Sequence, residues 1–206
     1  MNGFIDYFTA PLLVFSIIMC VTPGPNNMML AASGANFGYR KTLPHVLGIL
    51  VGMNLLFLGA ASGMATLLLA VPALHWGLKI VGTLYLLYFA VKIALLRPSG
   101  ASEDSLDRTA GKPLSFITAA LFQFMNPKGL VICISTLGIF TAPGPDYIPS
   151  VASVMLTFSA VCICTAGIWT GMGSALKRLM TRPRFHRIFN ASLATLTAGT
   201  VLMLLF

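Results

Sequence analysis

Charge is what this chain has least of: 13 Lys or Arg and 5 Asp or Glu, 9% of its 206 residues. Soluble domains carry roughly 25%, so a water-facing surface is not what this composition builds. The five acids, Asp6, Glu103, Asp104, Asp107 and Asp146, all fall near the ends of apolar stretches or between them. No carboxylate is therefore placed to carry a proton or hold a cationic side chain in mid-membrane. Histidine is nearly as scarce, and His45, His75 and His186 are scattered near stretch ends. With no Ser/His/Asp arrangement, paired carboxylates or phosphate-cradling glycine loop, catalysis fits badly and no enzyme is expected. The four cysteines, Cys20, Cys133, Cys162 and Cys164, show no C-x-x-C spacing, so neither a metal centre nor any other cofactor is expected. Cys162 and Cys164 point apart on a helix and, with Cys133, read as small lipid- or core-facing residues. The Met19, Cys20, Met28 and Met29 group reads as packing rather than a soft-metal site. Nothing before Arg40 is basic, so no signal peptide is expected either.

What the chain has is apolar length. It is 57% hydrophobic with mean hydropathy +0.87, in blocks near 5–38, 42–70, 74–96, 114–141, 147–176 and 186–206. Each can cross a hydrocarbon core of about 30 Å, which takes roughly 20 helical residues. The blocks lack the alternation of a membrane β-barrel. The net charge of +8 suggests nucleic acid until its placement is read. Arg40 and Lys41 lie after the first block, Arg97, Arg108 and Lys112 after the third, and Lys177, Arg178, Arg182, Arg184 and Arg187 about the fifth connection. The alternate connections, 71–74 and 141–147, hold no Lys or Arg. That sidedness argues against nucleic acid, makes the basic loops cytoplasmic and puts both termini outside. The lipid bilayer is the partner this surface expects.

A polar loop over 97–113 divides the chain into a first unit, 1–96, and a second, 114–206, of three spans each. Three is odd, so the second unit enters the membrane from the opposite side, as in transporters with inverted repeats. Such a fold predicts broken helices in matching places, and the sequence supplies them. The first block is interrupted by Thr22-Pro23-Gly24-Pro25-Asn26-Asn27 and the fourth by Gln123-Phe124-Met125-Asn126-Pro127-Lys128-Gly129. As one straight helix 5–38 would run about 50 Å, so it must tilt, bend or unwind. Irregular backbone survives in hydrocarbon only when buried in protein or lining a wet cavity. The expectation is an all-α polytopic membrane protein: six transmembrane helices as two inverted-topology three-helix repeats, the first helix of each repeat broken.

Lys128 lies deep in its block, where a charge costs at least about 2.5–3.5 kcal/mol, so it should face the interior and serve a purpose. Lys79 and Lys92 are near block ends and can snorkel. The candidate substrate-binding set is Thr22, Pro23, Gly24, Pro25, Asn26, Asn27, Asn126, Pro127 and Lys128, better suited to a carboxylate or a neutral polar solute than to a dication. Gly48 with Gly52, Gly59 with Gly63, and Gly167 with Gly171 have the spacing of close helix packing. His75 and Trp76 suit the outer interface, and the hydroxyls of Tyr85 and Tyr88 face either a cavity or a neighbouring helix.

At these residues the chain resembles the LysE/RhtB family of amino-acid exporters. The likeness rests on Thr22-Pro23-Gly24-Pro25-Asn26, Gly34-x-x-x-Gly38-Tyr39-Arg40-Lys41-Thr42, Gly48/Gly52, Gly82-x-x-Tyr85-Leu86-Leu87-Tyr88 with Lys92, and Gln123-Phe124-x-Asn126-Pro127-Lys128. It implies a bacterial inner-membrane exporter of amino acids or related metabolites, driven by the proton motive force. The implied partners are an amino-acid substrate and a coupling proton, with room for a homo-oligomer. The missing intramembrane acid favours a neutral amino acid over lysine. A metal or organic-cation exporter and a non-transporting membrane scaffold are the alternatives.

Overall fold

In a computed structural model the chain is described over residues 2–64 and 113–205 (backbone alone for 2–9, 64 and 200–205) and at scattered positions between Gly77 and Leu95. His75, Trp76, Lys79, Gly82, Tyr85, Lys92 and most of the 97–113 loop lie outside the described residues, as does the side chain of Asp6. The elements are α1 (Asn2–Val21), α2 (Pro25–Phe37), α3 (Tyr39–Gly59), α4 (Phe116–Met125), α5 (Pro127–Phe140), α6 (Tyr147–Ala175) and α7 (Pro183–Leu205). A π-turn at Ala60–Met64 follows α3, and 3₁₀ turns at Gly144–Asp146 and Leu176–Thr181 flank α6. No strand occurs among the described residues.

Local chemistry sets these boundaries. Pro25, Pro127 and Pro183 open α2, α5 and α7, the position where a missing N–H costs nothing. Ser115 caps α4, its Oγ accepting from Thr118 N at 3.2 Å. Gly38 ends α2 with φ +90°, a conformation other residues resist, and its N–H donates to Gly34 O at 2.9 Å.

Polarity runs inside out. Leu13, Ile17, Leu47, Leu58, Ile163 and Ile168 are exposed, whereas Ser16, Asn27, Asn36, Gln123, Asn126 and Asn190 are buried. That is the surface a lipid solvent selects. Tyr39–Gly63 and Gly144–Thr181 are long and apolar enough to cross a membrane. So are two bent pairs, Ala10–Val21 with Pro25–Phe37 at 56° and Phe116–Met125 with Pro127–Phe140 at 66°. The described residues thus supply up to four spans by this measure, and α7 adds one continuous helix of 23 residues.

The bundle has two chemically distinct ends. A Cβ placed at Gly38 would lie 3.3 Å from Lys177 Nζ, so the α2–α3 turn and the α6–α7 connection share a basic end. At the other end Tyr147 donates its hydroxyl to Ala61 O at 2.7 Å. The first bent pair runs toward the basic end and the second away from it, so the two broken helices are antiparallel.

Glycine makes the tightest crossings. At Gly34 a Cβ would stand 2.3 Å from Thr170 O, and at Gly173 2.1 Å from Ala31 O, so α2 and α6 meet backbone to backbone. Gly48 and Gly52 bring α3 onto α4, at 2.3 Å from Phe116 O and 2.5 Å from Ala120 O. The Gly48/Gly52 seam expected from sequence is therefore present. Two others are corrected: among the described residues nothing lies within 4 Å of a Cβ at Gly63 or Gly171. Gly63 instead takes φ +98° in the π-turn, and α6 uses Gly173. Each bent pair is thus gripped by a straight helix from the other half of the chain.

A polar cavity between the two helix breaks

The bend after Val21 leaves carbonyls without helical partners, and side chains from both halves take them up. Asn27 Nδ2 donates to Cys20 O at 2.8 Å and to Thr22 O at 3.0 Å. Lys128 Nζ reaches over from the second break to donate to the same Thr22 O at 2.6 Å. Asn26 and Gln123 exchange amide hydrogen bonds, Asn26 Nδ2 to Gln123 Oε1 at 2.8 Å and Gln123 Nε2 to Asn26 Oδ1 at 3.2 Å. The two breaks, 97 residues apart in sequence between Asn26 and Gln123, are therefore joined directly.

Around this junction lies a cavity of about 70 Å³, several times the roughly 10–15 Å³ that admits one water. Of the candidate set, Gly24, Pro25, Asn26, Asn27, Asn126 and Lys128 line it. Thr22, Pro23 and Pro127 do not. Thr22 and Pro23 are exposed; the Thr22 hydroxyl turns back to Ile18 O, and only its carbonyl serves the junction. Pro127 acts through the backbone, opening α5 one residue before Lys128.

Three features of the junction and the wall lie outside the expected set. Gln123 does not line the cavity but is the hydrogen-bond partner of Asn26. Asn54 of α3 and Ser159 of α6 form a second polar pair in the wall, Asn54 Nδ2 donating to Ser159 Oγ at 2.9 Å. A lone amide between Met53 and Leu55 was the available signal. Cys20 and Cys162 pack against the core clusters, as expected, and in addition line the cavity. Cys133 is buried in the core and Cys164 is exposed, as expected. Tyr88, 59% exposed, is not in the wall.

The electrostatics are one-sided. Lys128 brings an ammonium group, and among the described residues no Asp or Glu lines the cavity. Beside it Asn126 is 2% exposed, and its Oδ1 has no hydrogen-bond partner, a costly state for a buried acceptor. The wall therefore offers one cation and one free acceptor among the polar side chains of Asn26, Asn27, Asn54 and Ser159, beside the Cys20 and Thr22 carbonyls that Asn27 and Lys128 hold. That set matches a molecule bearing a carboxylate and a donor group.

Residues 17–206 match the LysE type translocator family. The cysteine/O-acetylserine efflux protein of Escherichia coli (strain K12) is 30% identical over 159 residues, covering 74% of this chain and 78% of the relative. The protein of the same name from Shigella flexneri serotype 5b (strain 8401) matches to the same extent. No solved structure gives a significant match.

Proposed function

The chain belongs to the LysE type translocator family, whose members are transporters and not enzymes, and on that premise we propose that it exports small neutral amino acids. In this reading the solute moves from the cytoplasm across the bacterial inner membrane, by alternating access to the cavity between the breaks, at the expense of the proton motive force. The observation that carries it is Lys128, held on a backbone carbonyl in a cavity that no carboxylate lines among the described residues. A substrate carboxylate displaces Thr22 O from Lys128 and gains a charge-assisted hydrogen bond. The substrate ammonium takes Asn126 Oδ1 and the Thr22 carbonyl that Lys128 leaves. A cationic side chain finds no counter-charge, which disfavours lysine and organic cations alike. Cysteine and O-acetylserine, named for the relatives, are small amino acids with uncharged side chains, and they fit these terms.

Supporting the inverted-repeat arrangement are the antiparallel broken helices and the reciprocal grip of α3 on α4 and α6 on α2. The basic end is the cytoplasmic one by the positive-inside rule, and the termini then lie in the periplasm. The scaffold alternative loses ground because the closest glycine approaches are spent within the chain.

The test is an efflux panel. Cells lacking the gene, with and without the protein, are loaded with dipeptides of each amino acid, and release is measured. Release of cysteine, serine and O-acetylserine should rise well above that of lysine or arginine. Lys128→Ala should reduce it about 10- to 100-fold, the worth of a charged hydrogen bond of about 1.5–3 kcal/mol, with the protein still inserted. Equal release of every amino acid, or full activity in Lys128→Ala, would overturn the proposal.

A further inference from the structure

One ionisable side chain is sealed inside the bundle and has no task in the site above. His45 is 1% exposed, and both its ring nitrogens lack a hydrogen-bond partner. A neutral imidazole has one donor and one acceptor, and buried groups rarely leave both unmet. The other described histidine differs: His186 Nε2 is within 3.2 Å of Asn36 Oδ1 and 3.1 Å of Asn190 Nδ2. His45 alone among the described histidines stands unengaged.

Its place follows from register. Thr42, His45 and Ile49 share one face of α3 at spacings of three and four. Thr42 hydrogen-bonds Ser33 of α2 at 2.8 Å. Ile49 packs with Leu30 of α2 and Ala166 of α6, and all three line the cavity. Because α3 leaves the basic end and α6 returns to it, His45 and Thr170 each lie one turn below these residues, on the basic side. Thr170 is fully buried, and its hydroxyl also lacks a partner. Two unmet polar groups thus occupy one layer between the cavity and the basic end.

The charged surroundings are sparse. Of the helices packed on α3, α2 and α4 carry no titratable side chain, α5 carries Lys128 and Cys133, and α6 carries Tyr147, Cys162 and Cys164. On α3 itself are Tyr39, Arg40 and Lys41, at the basic end. No carboxylate lies on any of these described elements, and the imidazole is the one side chain on them whose unperturbed charge change falls between pH 5 and 8.

We propose that His45 is the proton-binding site of the transport cycle. With the cavity open outward, the free ring nitrogen takes a proton from the periplasmic side. With it open inward, the imidazolium releases that proton to the cytoplasm, and one proton enters for each amino acid exported. Thr170 Oγ accepts from the protonated ring and positions it. The assignment rests on the proton-driven export proposed above.

The purified protein in proteoliposomes tests it with labelled O-acetylserine and cysteine in two assays. Exchange, with substrate on both sides and no pH difference, needs no net proton movement; accumulation against a gradient, driven by a pH difference, does. His45→Gln and His45→Asn should lose driven accumulation at least tenfold while exchange continues. Thr170→Val, which keeps the imidazole, should shift the pH of half-maximal driven transport. Driven accumulation at the wild-type level in either histidine variant would overturn the assignment, as would loss of exchange together with accumulation in folded protein. An unshifted pH profile in Thr170→Val would show a buried imidazole without a coupling role. Absence of exchange in the wild type would instead sink the export reading itself.

Discussion

Lys128 of the second break lies along Gly24 of the first. A Cβ added at Gly24 would stand 2.9 Å from Lys128 Cδ and 3.1 Å from its Nζ. Gly24 has φ −168°, an extended backbone open to any residue, so the methyl of Gly24→Ala meets only a flexible side chain. That chain can move aside, and in moving it leaves Thr22 O. The expected outcome is a protein that inserts and melts like the wild type but exports substantially less. Unchanged efflux in Gly24→Ala would mean that the position of the ammonium group is immaterial.

The crossing of α2 and α6 predicts the opposite balance. Gly34→Ala and Gly173→Ala drive a methyl into backbone carbonyls at 2.3 Å and 2.1 Å, and backbone yields less readily than a side chain. Overpacking of this kind costs about 1–3 kcal/mol. Both variants should lower the thermal midpoint in detergent. Gly171→Ala, with open space around its Cβ, should leave it unchanged or raise it slightly, since Ala is the better helix former. Equal midpoints for all three would remove the crossing as a stability determinant.

The contrast between Gly171 and Gly173 shows where sequence stops being legible. A small-xxx-small spacing locates helices able to pack closely, but the face that packs depends on rotation, which the partner helix sets. The breaks were legible because Pro25 and Pro127 dictate backbone chemistry locally, whatever surrounds them. Lys128 was legible because a charge deep in an apolar block has few places to go. Gln123, Asn54 and Ser159 were harder: their meaning lies in partners 97 and 105 residues away. His45 read as a residue near a span end, whereas it is 1% exposed, a burial that depends on neighbouring helices and not on its own periodicity.

The Asn26–Gln123 exchange makes an energetic prediction of its own. Gln123 is fully buried, and besides Asn26 its Nε2 has only Ala119 O, at 2.9 Å. Asn26→Ala strips its Oε1 of a donor, and an unsatisfied buried group costs about 1–3 kcal/mol. Gln123→Leu removes the stranded group along with the pair. The double variant should therefore be less destabilised than the sum of the singles, with a coupling of at least about 0.5 kcal/mol, read from thermal or denaturant unfolding in detergent. Strict additivity would mean that the two amides do not act as a unit.

Cysteine chemistry reports on the cavity from within. Cys20 and Cys162 line it, Cys133 is packed in the core, and Cys164 is exposed on the apolar outer surface. In variants retaining one cysteine each, a small water-soluble thiol reagent should reach Cys20 and Cys162 but leave Cys133 unmodified. Cys164 should react only with a membrane-permeant reagent, because lipid covers its face. On the proposed function, saturating O-acetylserine should slow modification of Cys20 and Cys162 several-fold without changing the rate at Cys164. A substrate that protects Cys164 equally would be acting through the whole fold, and the cavity would lose its claim as the place where the substrate sits.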